Sequence, residues 1–207
     1  MNKTKVIIVD DHAILRMGLV SLLSTRDDIE VIGDASDGKS ALRKAQQLQP
    51  DLVIMDLIMP KMDGVAATRE LRALMPEIKV LILTTFGTSD GIARALEAGA
   101  GGAIMKNASL PELANAIRTV ARGGSYLTPE IKRMLAENPP ITPLSPRQLE
   151  ILRSLVRGLS NNDIALELGI GVDMVKKHTK SLFAKIGAAN RAEAVAIALQ
   201  RQLLKLT

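Results

Sequence analysis

The sequence predicts two domains of different class: an α/β doubly wound, five-stranded parallel sheet over residues 1–122, and a smaller all-α domain of four helices over residues 141–207. Three observations carry this. Between residue 5 and about residue 122, short apolar runs alternate five times with helix-period segments, the pattern of a parallel sheet with crossover helices. Beyond residue 140 the strand signal disappears and helix punctuation takes over. Charge divides in the same region: fifteen basic and fifteen acidic residues up to residue 122, but twelve basic against seven acidic beyond it. The whole basic excess lies in the C-terminal part, as expected of a segment that meets a polyanion.

The apolar runs VIIV, EVIGDAS, LVIMD, VLILT and GAIM are each followed by a helical pattern: HAILRMGLVSLLS, GKSALRKAQQL, GVAATRELRALM, SDGIARALEAG and SLPELANAIRTVARG. LVIMD and VLILT show no period-two alternation, so they read as central strands buried on both faces. Right-handed crossovers then place helices on both sides of the sheet. Residues 123–140, GGSYLTPEIKRMLAENPP, have Gly-Gly at one end and Pro-Pro at the other, which reads as a linker with a short helix in its middle. Ser145-Pro146-Arg147-Gln148 supplies an N-cap, a proline at the first helical position and a capping-box glutamine. Asn190-Arg191-Ala192-Glu193 repeats the box. Between them, NNDIALELG and VDMVKKHTKSLFAKIG are joined by Gly169-Ile170-Gly171, a turn short enough for a helix-turn-helix.

Composition excludes several classes. The absence of cysteine removes disulfides and thiolate metal sites. One Tyr, two Phe and no Trp make base stacking on aromatic platforms a poor mode of nucleic-acid binding. The apolar stretch in MNKTKVIIVDD is too short for a signal peptide, and no apolar run is long enough to span a bilayer. A soluble, cytoplasmic protein with no membrane partner is expected.

Polar side chains stand where the apolar strands run out: Asp10 and Asp11 after KVIIV, Asp56 after DLVIM, Thr84 after VLIL and Lys106 after GAIM. In a parallel sheet, ligands bind beyond the carboxyl ends of the strands, so these residues converge. Acids, a hydroxyl and a lysine gathered there can take up a phosphoryl group on a carboxylate. Asp56 is the nucleophile candidate, since it ends a buried strand and Met59-Pro60 and Asp63-Gly64 turn the chain after it. Three neighbouring carboxylates would repel phosphate, and a hard divalent cation such as Mg2+ relieves this. Asp11 and Asp56 are the expected direct ligands, with Asp10 acting through water and the Ile58 carbonyl completing the set. Lys106 adds a positive charge and Thr84 a donor to the transferred group. Taken singly, Asp10-Asp11 also reads as a helix cap, Thr84 as a turn residue and Lys106 as a solvated cation.

With VDDH, DLIMPKMDG, LTT and MKN in place, residues 5 to about 122 resemble the receiver domain of two-component response regulators, whose fold is flavodoxin-like. The resemblance implies that Asp56 accepts a phosphoryl group from a sensor histidine kinase, with Mg2+ bound as above. Two positions depart from it. The aromatic residue usually found three places before the lysine is Ala103, which leaves Thr84 to act through the loop after it, by way of Phe86. The residues two beyond the phosphoacceptor and two beyond the threonine, Ile58 and Phe86, are both apolar, which implies a long-lived aspartyl phosphate.

In the C-terminal part, a helical wheel at about 100° per residue groups Val175, Thr179, Leu182, Phe183 and Ile186 on one side and Lys176, Lys177 and Lys180 on the other. Such a helix fits the major groove. Residues 143–200 resemble the LuxR-type helix-turn-helix of the NarL/FixJ response regulators. The resemblance implies contacts to double-stranded DNA from this helix, with Lys176 and His178 at positions the family usually keeps, and pairing through the final helix. Lys177 and Lys180 join them as DNA-contact candidates from the outward face of the wheel, and a homodimer is expected once the protein is phosphorylated. Gly171 stands where a serine-like cap is usual, and Met174 where threonine is usual. His178 borders the apolar side of its helix and also reads as a packed or surface residue. His12 reads as the start of a helix, without the companions of a metal site.

The expected function is a phosphorylation-controlled transcriptional regulator and not an enzyme. Three other readings stand beside it. Gly33-Asp34-Ala35-Ser36-Asp37-Gly38-Lys39-Ser40 matches a phosphate-loop pattern, which would make the protein a nucleotide hydrolase, although Asp34 and Asp37 put negative charge where phosphate should sit. The N-terminal domain alone could serve as a phosphorelay carrier or protein-binding module. The C-terminal domain could bind DNA regardless of phosphate.

Overall fold

The computed structural model describes residues 3–85, 88–201 and 203–204. The chain divides into two compact units, Met1–Pro139 and Pro140–Thr207. In the first, β1 (Thr4–Val9), α1 (Ala13–Leu23), β2 (Ile29–Ala35), α2 (Gly38–Leu48), β3 (Leu52–Asp56), α3 (Gly64–Leu74), β4 (Lys79–Thr84), α4 (Ser89–Glu97), β5 (Gly102–Met105) and α5 (Leu110–Ala121) alternate without exception. The sheet is parallel throughout, in the order β2-β1-β3-β4-β5-β6, where β6 is Tyr126–Leu127.

Alternate residues of each strand feed opposite cores. Ile7, Val9, Val53, Met55, Val80 and Ile82 pack with α2, α3 and α4. Val6, Ile8, Leu52, Ile54, Leu81 and Leu83 pack with α1 and α5. Every residue of β3 is buried, as are all but the first of β4. This is why the two runs carry no alternation: both of their faces are covered by helices.

The sheet has a sixth strand where five are predicted, and residues 123–139 do not behave as a linker. β6 pairs with β5, Gly102 opposite Tyr126 and Ala103 opposite Leu127. A Cβ on Gly102 would lie 2.2 Å from the Tyr126 carbonyl oxygen, so only glycine admits this strand. The next helix, α6 (Pro129–Glu137), is capped by the Thr128 hydroxyl and sends Ile131 fully buried into the first core. The short helix expected here is present, but it is docked. Two residues of strand carry no periodicity, which is why the pairing escapes a reading by pattern.

The second unit holds α7 (Pro146–Val156), α8 (Asn161–Leu168), α9 (Val172–Ile186) and α10 (Arg191–Gln200) around its own core, with Ile151, Leu152, Ile164, Val175 and Leu182 fully buried. The Ser145–Gln148 capping box closes in both directions. Asn190 caps the amide of Glu193, but Glu193 reaches back to the amide of Ala189, one residue before the cap, so the second box is not reciprocal.

Candidate functional site

Parallel register brings the polar strand ends to one edge of the sheet. Asp56 pairs with Leu83 and Thr84 with Met105, while the amide of Lys106 donates to the carbonyl of Thr84 at 2.8 Å. Asp10, Asp56 and Thr84 are all buried, at 1%, 4% and 1% exposure. The Lys106 Nζ lies 2.6 Å from Asp10 Oδ2 and 2.8 Å from Asp56 Oδ2, so one ammonium serves two buried carboxylates. Asp11 is more open. Ligand atoms of Asp10, Asp11, His12 and Asp56 all lie within 4.8 Å of one another.

The loops that hold these residues follow from local chemistry. Gly64 donates to the Leu57 carbonyl, and a Cβ there would lie 2.2 Å from the Asp56 carbonyl oxygen, so the turn after Asp56 requires glycine. Asp63 caps α3 through the amide of Ala66. Arg16 of α1 donates to the Asp10 carbonyl at 2.7 Å and to Asp34 Oδ2 at 2.6 Å, tying the end of β1 to β2. Nothing in the sequence pattern singles out Arg16.

Burial raises the Asp56 carboxyl above the ordinary aspartate range, the Asp10 charge adds to this, and the Lys106 hydrogen bond opposes it. Burial alone would lower Lys106, but the hydrogen bonds and charges of Asp10 and Asp56 outweigh it and raise the amine. The Asp56 direction thus comes from desolvation and the Lys106 direction from its two carboxylate partners. Asp10 Oδ2 is buried, and the Lys106 ammonium is its one partner among the described residues. A buried carboxylate oxygen with spare acceptor capacity, among further carboxylates, fits a hard divalent cation.

One expectation changes, and one rival reading loses its site. His12 does have companions, its Nδ1 lying 2.9 Å from Asp11 Oδ1 and 3.3 Å from Asp10 Oδ1. The phosphate-loop pattern does not build a phosphate site. Gly33 is inside β2, the Asp37 carboxylate caps the amide of Ser40 at 3.0 Å, and a Cβ on Gly38 would meet Met62 Cγ at 2.7 Å. The backbone donor is taken by aspartate and the space by methionine. Ile58 is half exposed in the loop after Asp56. Phe86 lies outside the described residues. Ala103 is fully buried under the β6–α6 segment.

On α9, Val175, Leu182 and Ile186 are buried, Phe183 packs beside them, and Lys176, Lys177 and Lys180 are exposed, as the wheel predicts. His178 is half-buried. Gly171 begins the helix with no side-chain cap. Lys176 pairs with Asp173 at 3.3 Å, both largely exposed, so the contact holds the lysine only weakly.

Residues 6–118 match the family model described as the response regulator receiver domain. Residues 142–198 match that of the bacterial regulatory proteins of the luxR family. The response regulator protein VraR of Staphylococcus aureus is 40% identical over 206 residues, covering 97% of this chain and 99% of the relative. The chain belongs to the response-regulator family. This response regulator carries a receiver domain followed by a LuxR-type helix-turn-helix DNA-binding domain. Among solved structures, the response regulator ChrA of a heme-sensing two-component system is 38% identical with a TM-score of 0.59, covering 99% of this chain and 100% of that one. RcsB of Salmonella enterica serovar Typhimurium, solved on promoter DNA, shares the fold at 23% identity and a TM-score of 0.71, covering 96% of this chain and 99% of its own. No described helix of the response regulator is long and apolar enough to cross a membrane.

Proposed function

We propose that this response regulator is a phosphorylation-controlled transcription factor of a cytoplasmic two-component system, in which Asp56 accepts a phosphoryl group from a sensor histidine kinase. The observation that carries this reading is the pairing of two buried carboxylates, Asp10 and Asp56, with the single ammonium of Lys106. An oxygen of Asp56 attacks phosphorus and the P–O bond forms as the P–N bond to the kinase imidazole breaks. The nitrogen keeps the electron pair and takes a proton from solvent. Lys106 stays cationic and offers its charge to the transferred group, and the Thr84 hydroxyl donates to a phosphoryl oxygen. A Mg2+ ion, when bound by Asp11, Asp56 and the Ile58 carbonyl, with Asp10 through water, supplies charge neutralisation. The transfer is stoichiometric, so the protein regulates and is not itself an enzyme.

Phosphorylation shifts the population toward a homodimer whose α9 helices present Lys176, Lys177, His178 and Lys180 to double-stranded DNA. Ile58 and Phe86 are residue types with no polar side-chain atom to orient an attacking water, so the phosphate is long-lived. The test treats wild type and Asp56→Asn with a small phosphodonor and Mg2+, then measures DNA retardation. Retardation that strengthens only in phosphorylated wild type is expected. Equal retardation in every sample removes the switch, and none in any sample removes DNA binding.

A further inference from the structure

We propose that His12 is a nitrogen ligand at the acidic site and raises its affinity for borderline divalent cations, such as Co2+ or Zn2+, above what the carboxylates alone would give. The inference rests on the reading of Asp10, Asp11 and Asp56 as a divalent-cation site.

Each Asp10 oxygen faces a different neighbour. Oδ2 faces inward to Lys106, while Oδ1 accepts from the amide of His12 at 2.8 Å and stands 3.3 Å from His12 Nδ1. His12 Nδ1 is also 2.9 Å from Asp11 Oδ1. Metal–nitrogen and metal–oxygen bonds of roughly 2.0–2.2 Å put neighbouring ligand atoms about 2.9 Å apart at right angles and about 3.4 Å apart at tetrahedral angles. The two spacings at His12 fall within that interval. The imidazole is 71% exposed and makes no helix-cap hydrogen bond, so the two carboxylates are its partners, and a cation bound among them would take the place of that direct pairing. With Asp56, four side chains offer one ligand atom each within 4.8 Å.

Ligand chemistry then separates the ions. Carboxylates suit Mg2+, which binds oxygen and dehydrates reluctantly, whereas an imidazole suits Co2+ and Zn2+. His12 therefore contributes to Co2+ binding and not to Mg2+ binding.

The test uses full-length wild type, His12→Ala and Asp56→Asn, titrated calorimetrically with MgCl2 and with CoCl2. Imidazole resonances are followed as Co2+ is added. The chain has only two histidines, so His178 is the internal reference. Co2+ affinity is expected to fall at least tenfold in His12→Ala, with Mg2+ affinity within twofold of wild type and the His12 resonances alone shifted in wild type. Co2+ affinity that does not change, or that falls only as much as Mg2+ affinity, overturns the proposal while leaving the cation site intact. Failure of wild type to bind either ion, with Asp56→Asn indistinguishable from it, overturns the cation-site reading as well.

Discussion

Replacing Ile131 with alanine tests whether residues 123–139 belong to the receiver unit. Ile131 lies on α6 and is fully buried against the core formed with α2, α3 and α4. The substitution removes three carbons, about 2.4 kcal/mol at about 0.8 kcal/mol each, and an unrelaxed cavity brings such losses into the range of about 2–5 kcal/mol. α6 lies at the end of its unit, so it can also respond by leaving the surface, which limits the loss to the free energy of its docking. Urea unfolding gives the stability change, and hydrogen exchange across residues 126–137 separates the two responses. Wild-type α6 amides are expected to be protected. The variant should lose about 3 kcal/mol if α6 stays docked, or lose α6 protection at a smaller global cost. Gly102→Ala reaches the same segment independently, since its Cβ would meet the Tyr126 carbonyl at 2.2 Å. Wild-type α6 amides that exchange as freely as an unfolded chain, with Ile131→Ala within about 0.5 kcal/mol of wild type, would return the segment to a linker.

Asp56→Asn is expected to be more stable than wild type at neutral pH. Burial raises the folded-state pKa of Asp56, so wild-type stability falls as pH rises from the ordinary aspartate value near 3.9 through the raised one, and the advantage of asparagine vanishes below that window; unfolding of both proteins across pH measures this. Asp37→Ala should cost about 1–2 kcal/mol at pH 7 through the lost cap on α2. The bond from the Ser40 amide holds the Asp37 carboxyl low, so wild type keeps this stability above about pH 3.9 and loses it as pH falls through the depressed value. Gly171→Ser should stabilise the second unit by about 0.5 kcal/mol, by supplying a cap hydroxyl to α9 and restricting the unfolded chain, read in its own unfolding transition. Lys177→Ala and Lys180→Ala should each weaken DNA binding on all sequences and reduce the slope of log affinity against log salt by about 0.9; a loss confined to one sequence would contradict phosphate contact.

The alternation of LVIMD and its neighbours with helical patterns was enough to place Asp10, Asp11, Asp56, Thr84 and Lys106 together, because a parallel sheet sends every strand end to one edge. What pattern could not supply was rotamer and pairing. The ammonium shared by Asp10 and Asp56 depends on how the Lys106 side chain folds back, and His12 meets two carboxylates only because α1 begins immediately after β1. The phosphate-loop match is disfavoured by the charges of Asp34 and Asp37, and the structure adds a pairing of the same kind. Spacing alone does not reveal that Asp37 occupies the amide a phosphate would need. The basic face of α9 was legible because helical period and burial separate the same residues.

Ala103 connects the site to the segment that pattern missed. Where related receivers carry an aromatic side chain, this one has a methyl group, and Leu127 lies opposite it on β6. Backbone pairing runs without a gap from Thr84 beside Met105, through Ala103, to Leu127, and α6 follows one residue later. The Ala103 methyl is covered by a strand and a helix of the chain itself, which end where the second unit begins. Contiguity alone is not coupling, which requires an element with two arrangements that both ends bias. A short edge strand and a single-helix dock are suited to have two, because releasing them leaves the five longer strands paired.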